Sequence, residues 1–276
     1  MRITLPISLI CIGVAIASAF TITVVSFQSI YTVHSIASFL NNSHLKDDQQ
    51  MTVTQDRNMM MQPLAQTLLN NFFAVNVTVN PVANYLGRPA LKVAFTDAYQ
   101  KYYTANNVVQ SGAFLRIPLT RFFYEGTIDV DIAAEPNKYA DEFTRAFAGV
   151  IFRQQINGAS DTVYFRMLNG RLNNPQPPAD RLTRAIQYVA PPKWEFSNLR
   201  EEFPGKYETG ADIAAKRWNH LRLVVNNQTV SAYVDYATKP ALQVSLLGAN
   251  APGWIAFFVD DATDAYFSNL RITNKF

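Results

Sequence analysis

A chain of 276 residues is long for an average domain but ordinary for a single all-β sandwich, and a content of 49% hydrophobic, 13% aromatic and 16% charged residues excludes a disordered polymer. The 24 basic and 21 acidic residues leave a formal charge of +3 and are mixed along the sequence, so it lacks the clustered basic footprint that nucleic acid binding needs. The one cysteine, Cys11, excludes an internal disulfide and any cysteine-based metal site.

Residues 1–27 begin with Arg2, continue through an apolar run from Leu5 to Ala17 and reach small residues at Ala17-Ser18-Ala19. That is the layout of a secretory signal peptide, so the mature chain is expected to begin at or near Phe20 and to lie in the cell envelope or outside the cell. Apolar character persists through Ile22, Val24, Val25 and Phe27, which keeps an uncleaved N-terminal membrane anchor as the alternative. The residues ahead of Cys11 lack the small residue expected before a lipidated cysteine. Residues 28–72 show no sustained helix or strand period and read as a spacer, with no role assigned to Met59, Met60 and Met61.

From residue 73 onward, short runs alternate apolar and polar residues and are broken by Gly, Pro, Asn or Asp, the pattern of many short strands. Leu91, Val93 and Phe95 alternate with Lys92 and Ala94, and Ala113, Leu115 and Ile117 alternate around Arg116. In GTIDVDIAAEP, Ile128, Val130 and Ile132 share one parity and Asp129 and Asp131 the other, which sends both carboxylates to an outward face. Inward Val150 and Phe152 send Arg153 outward, and inward Val163, Phe165 and Met167 send Tyr164 and Arg166 outward. RAIQYVA adds Gln187, with Tyr188 as its alternative. RWNHLRLVV alternates Leu221, Leu223 and Val225 with His220 and Arg222, and the Asn226-Asn227 pair after it predicts a tight hairpin. TVSAYVDY, ALQVSLL, WIAFFVD and AYFSNLRIT supply the remaining strands. Residues 169–184, and residues 191–215 with Trp194, lack a period and read as loops. Many short strands and no crossover helices predict antiparallel sheets packed face to face, with Val130, Phe152, Phe165 and Leu223 between them.

The succession GTIDVDI, FAGVIFRQ, VYFRM, AIQY, WNHLRLVV, AYVD and YFSNLRI resembles the concanavalin A-like lectin/glucanase superfamily, including the laminin G-like and 3-keto-disaccharide hydrolase domains of bacterial exported proteins. The likeness runs from about Gly87 to Ile272. It implies a jelly-roll β-sandwich of two curved antiparallel sheets over residues 73–276, whose concave face in many members binds or cleaves glycans. A glycan or oligosaccharide is therefore the expected partner. The alternatives are a glycoside hydrolase of the same fold and a structural or adhesion domain that binds protein.

For binding, the expected residues are Arg153, Tyr164, Arg166 and Gln187, which with Asp129 and Asp131 are placed on one concave face, and Trp194 as a stacking residue in its loop. Arginine and glutamine direct donors at hydroxyls, and tyrosine adds a flat apolar face with a polar tip. For catalysis, Asp129 and Asp131 are the candidates, because residues two apart on one strand face lie about 6.6 Å apart, within the range that glycosidase carboxyl pairs use. The strand departs from the Glu-x-Asp-x-x-Glu pattern of glycoside hydrolase family sixteen: Asp129 stands first, Ala134 takes the last place, and Glu135, one residue late, is expected on the opposite face unless a bulge intervenes. His220 has no acidic partner near it in sequence and reads as a surface strand residue, and Trp218 and Trp254 read as packing. No metal-ligand spacing of Cys or His is present, and no cofactor is expected beyond structural calcium, for which Asp260, Asp261 and Asp264 are the candidate oxygen ligands.

Overall fold

The computed structural model describes residues 72–275 apart from 107, 109–111, 119 and 121. The leader, Cys11, the three successive methionines and almost all of the spacer lie outside the described residues. Among the described residues, no helix is long and apolar enough to cross a membrane.

The strands in chain order are β1 (Phe73–Val75), β2 (Val77–Tyr85), β3 (Arg88–Phe95), β4 (Phe114–Arg116), β5 (Gly126–Pro136), β6 (Phe147–Gln154) and β7 (Asp161–Arg166). They continue with β8 (Ile186–Val189), β9 (Glu208–Thr209), β10 (Asn219–Asn226), β11 (Thr229–Val234), β12 (Leu242–Ser245), β13 (Trp254–Val259) and β14 (Thr263–Asn274). One seven-stranded sheet, here sheet A, runs β1-β4-β13-β6-β7-β8-β9, and the other, sheet B, runs β12-β11-β10-β5-β14-β3-β2. Every ladder described is antiparallel, so the fold is an all-β, jelly-roll-like sandwich of two antiparallel sheets.

The alternation in the sequence sets the two inner faces. In sheet A, Leu115, Phe257, Val150, Val163 and Tyr188 lie abreast across four ladders, and in sheet B Ile128, Val130 and Ile132 lie beside Leu223, Leu221 and Asn219. All of these side chains are buried, as are Phe152 and Phe165, and each large apolar one contributes about 1.5 to 3 kcal/mol by leaving water. Phe257 of sheet A stacks on Phe267 of sheet B with ring centroids 4.0 Å apart, which ties the layers at mid-core. The expected hairpin forms: Asn226 pairs with Thr229, and Asn227 takes a φ of 52° in the two-residue turn.

Three helices stand where the sequence reading has none. Helix α1 (Asp97–Ala105) begins where Thr96 accepts the Tyr99 N–H through its hydroxyl at 3.1 Å, and it packs Tyr103 against Phe95. After the single turn α2 (Ala179–Leu182), helix α3 (Phe196–Glu202) forms inside the segment read as a loop. Its importance is that it covers part of sheet A.

Candidate functional site

The side chains with the densest polar geometry meet on the outer face of sheet B. Strand β10 lies beside β5 with Arg222 opposite Asp129 and His220 opposite Asp131. Because Ile128, Val130 and Ile132 take the core side, these four residues are turned together to the other face. The His220 ring sits between the two acids, Nδ1 2.7 Å from Asp131 Oδ1 and Nε2 3.2 Å from Asp129 Oδ1. Arg88 donates to Asp131 Oδ2 at 2.6 Å, Asn269 donates to the same oxygen at 2.6 Å, and Arg222 donates through Nε to Asp129 Oδ1 at 2.6 Å.

Local irregularities aim these groups. The β2–β3 hairpin turns at Leu86 (φ 49°) and Gly87 (φ 83°), bringing Arg88 to the network, and Trp218 pins the turn by donating from its indole to Leu86 O at 3.3 Å. Strand β14 bulges against β5 between Ser268 and Arg271, and Asn269, at φ 53°, points its amide to Asp131. Such bulges redirect side chains at the cost of ladder pairing.

The electrostatics follow from the contacts. Burial works to raise the Asp131 pKa, but the hydrogen bonds from His220 and Asn269 and the positive charges of His220 and Arg88 outweigh it and hold the carboxyl below its ordinary value. Burial works to lower the His220 pKa, yet the hydrogen bond and charge of Asp131, and then those of Asp129, raise it. A group raised in the fold stabilises fully below its unfolded value, 6.5 for His220, and that stability is lost as pH rises through the folded value. A depressed carboxyl stabilises above its unfolded value, 3.8 for Asp131, and that stability is lost as pH falls through the folded value. Urea denaturation of the protein and of His220→Gln is therefore expected to show the largest difference between pH 3.8 and 6.5, shrinking at alkaline pH. A difference constant up to pH 10 would contradict an ionic role for the imidazole.

Aromatic rings border the network. Tyr236 lies flat over the His220 ring, centroids 4.0 Å apart and planes 11° from parallel, yet it is 73% exposed. It is held there by successive left-handed residues, Asp235 at φ 48° and Tyr236 at φ 60°, a conformation that costs about 1 to 2 kcal/mol for each L-residue. Asp235 anchors the turn by accepting the His220 N–H at 2.7 Å and by pairing with Arg217 at 2.6 Å. On the other side Trp218 meets Tyr85 edge-on at 5.8 Å and lies under the Arg88 guanidinium at 4.9 Å.

The six residues expected on one concave face are divided between the two sheets, Asp129 and Asp131 on B and the other four on A. Arg153 does not point outward: β6 bulges where Gln154 pairs with Trp254 and Ile151 with Ala256, so Phe152 and Arg153 together face Ile255. Arg153, at φ 49°, turns back and donates to Tyr124 O at 2.8 Å and to Asn227 O at 2.7 Å, fully buried at one end of the sandwich. Tyr164, Arg166 and Gln187 do take the outer face of sheet A, but they are buried. Arg166 donates to Tyr164 Oη at 3.0 Å, to Gln187 Oε1 at 3.1 Å and to Glu208 Oε2 at 3.3 Å, while Arg200 of α3 grips Glu208 at 2.6 Å. Phe196 of α3 lies 5.9 Å from the Arg166 guanidinium. Trp194 is half-buried against Phe203, centroids 5.7 Å apart. These side chains hold the helix and loop onto the sheet.

Glu135 also corrects its expectation. Its separations from Asp129 and Asp131 are even, and the β14 register opposite it runs unbroken from Thr263 to Ser268, so it shares their face. There it accepts the Tyr85 hydroxyl at 3.2 Å. Asp261 accepts Gln100 at 2.7 Å and Asp264 pairs with Lys92 at 2.5 Å. Among the described residues no group of three or more His, Cys, Asp or Glu side chains is placed to hold a metal ion.

His220, Arg88, Asn269 and Tyr236 were not among the site residues that the sequence suggested. The parity signal for His220 was present; what was missing was the pairing of β10 with β5, which brings it to acids 89 and 91 residues away.

No family model matches the chain, and no curated protein matches it. Among solved structures, the carbohydrate binding module CBM66 from Bacillus subtilis is similar at 14% identity and TM-score 0.44, over 72% of this chain and 93% of that one. The galectin LEC-6 of Caenorhabditis elegans is similar at 8% identity and TM-score 0.36, over 60% of this chain and 92% of that one. Domain 4 of the GH43 extracellular arabinanase AbnA from Geobacillus stearothermophilus, solved with arabinotriose, is similar at 13% identity and TM-score 0.39, over 71% of this chain and 75% of that one.

Proposed function

We propose that the protein is an exported carbohydrate-binding protein of the concanavalin A-like kind, and that it binds its glycan on the outer face of sheet B. The observation that carries this reading is Tyr236, an exposed ring held flat above the His220 imidazole of a partly exposed ionic network by two strained residues. Strain that gains little packing is retained where a ligand repays it. A flat aromatic face beside directed polar groups is what a pyranose, with its apolar C–H faces and ring of hydroxyls, requires. Export rests on the leader pattern in residues 1–27.

The glycosidase reading asks one carboxyl of the Asp129 and Asp131 pair to carry a proton near neutrality. Asp131 is instead held ionised by its donors, and His220 stands between the two acids where a scissile bond would lie. Binding without turnover is the function this geometry supports best.

A saccharide panel offered to the full-length protein, read together with release of reducing sugar, tests this. The expected result is binding of at least one glycan class, weakened in Trp218→Ala, without hydrolysis. Binding to no member of the panel would overturn the reading.

A further inference from the structure

The network is rich in donors and poor in acceptors. Asp131 accepts from His220 on one oxygen and from Arg88 and Asn269 on the other, and Asp129 accepts from His220 and Arg222. A neutral imidazole carries one N–H, yet both His220 nitrogens face carboxylate oxygens within 3.2 Å, an arrangement that only the doubly protonated ring satisfies. Three cations, Arg88, Arg222 and His220, therefore meet two carboxylates.

Of the surrounding charges, Lys92 pairs with Asp264 at 2.5 Å, Arg217 with Asp235 at 2.6 Å and Lys216 with Glu135 at 3.9 Å, while Arg271 stands opposite Asp129 on β14 and adds a further cation beside the centre. The surplus positive charge is thus local to the centre. It is also accessible, since the Arg88 and Arg222 side chains are 36% and 51% exposed, and their bonds to the acids use Nη1 and Nε respectively. A neutral sugar needs acceptors for its hydroxyl protons as well as donors, and here both Asp131 oxygens and Asp129 Oδ1 already accept, which leaves Asp129 Oδ2 against two part-exposed guanidiniums. What the face offers a ligand is guanidinium donors beside the Tyr236 ring.

We propose that the ligand is an acidic saccharide, a sugar of uronic acid type whose carboxylate is taken by the Arg88 and Arg222 guanidiniums while its ring lies on Tyr236. This deepens the proposed function and rests on it. Guanidinium matches carboxylate geometry in a two-bond fork, which makes the match specific as well as attractive.

The test compares a trisaccharide of uronic acids with its neutral counterpart, each carboxylate replaced by a hydroxymethyl group, by calorimetric titration of the full-length protein. The expected preference for the uronate is about tenfold or more, the scale of one hydrogen-bonded charge contact. It should shrink when ionic strength rises from about 20 mM to about 500 mM, because exposed charges are screened. Arg222→Gln, with thermal unfolding as its folding control, should abolish the preference and leave residual binding dependent on Tyr236. A sulfated trisaccharide that binds as tightly as the uronate would overturn the carboxylate assignment. Equal binding of the uronate and its neutral counterpart would overturn this inference and leave carbohydrate binding standing, whereas binding of no saccharide would overturn both.

Discussion

Phe152→Ala is expected to destabilise the protein by about 3 to 5 kcal/mol, the range for emptying a buried phenylalanine site. The ring is fully buried, meets Phe123 edge-on at 6.4 Å, and sits at the bulge where β6 faces β13. Its surroundings are strands laddered on both sides, so the cavity cannot collapse without breaking sheet pairing, and the loss should fall at the upper end. For a domain of this size the thermal midpoint should drop by about 10 °C. Thermal unfolding of the variant is the check, and an unchanged midpoint would contradict the inward assignment of β6.

The second large effect is expected at Asp131, whose side chain is 6% exposed. Asp131→Ala removes the acceptor of His220, Arg88 and Asn269 at once, leaving cationic groups without their shared partner. Breaking one side of a buried, hydrogen-bonded ion pair costs about 3 to 5 kcal/mol, because the remaining charge stays desolvated. The partial exposure of Arg88 lets that residue recover hydration, so about 3 kcal/mol is expected, together with loss of glycan binding. Asp131→Asn should lose less stability, since the amide still accepts from Arg88 or Asn269. Urea denaturation of the two variants measures the difference, and equal stability for both would show that the carboxylate charge does not organise the site.

Much of the sandwich was legible because parity is a local property. Ile128, Val130 and Ile132, or Leu221 and Leu223, declare the buried face of their strand without reference to any other strand. The same parity placed Asp129, Asp131 and His220 correctly on an outer face. It failed where the count was broken: at Arg153 a bulge adds a residue, and the side chain that alternation sent outward turns into the end of the core. It also gave no information about which strands are neighbours, so Asp129 and Asp131 were joined to Arg166 and Gln187, which belong to the other sheet. Nor does parity say what covers an outer face. Arg166 and Gln187 are turned outward, and the helix carrying Phe196 and Arg200 buries them. That helix lies in a stretch whose composition reads as loop, and α1, which begins at Thr96-Asp97, has no long apolar period to announce it. Tyr236 was invisible because nothing in the sequence announces two successive non-glycine residues in the left-handed region.

The most direct test of the central claim, that the outer face of sheet B is the ligand site, is Tyr236→Gly assayed for saccharide binding and thermal unfolding side by side. Glycine occupies a φ of 60° without steric cost, so the backbone keeps its path and the strain is relieved. The expected result is a thermal midpoint at or near that of the unaltered protein and a loss of affinity of more than about tenfold, as for a central aromatic anchor. Undiminished binding by a folded Tyr236→Gly protein would contradict it and move the ligand off this face.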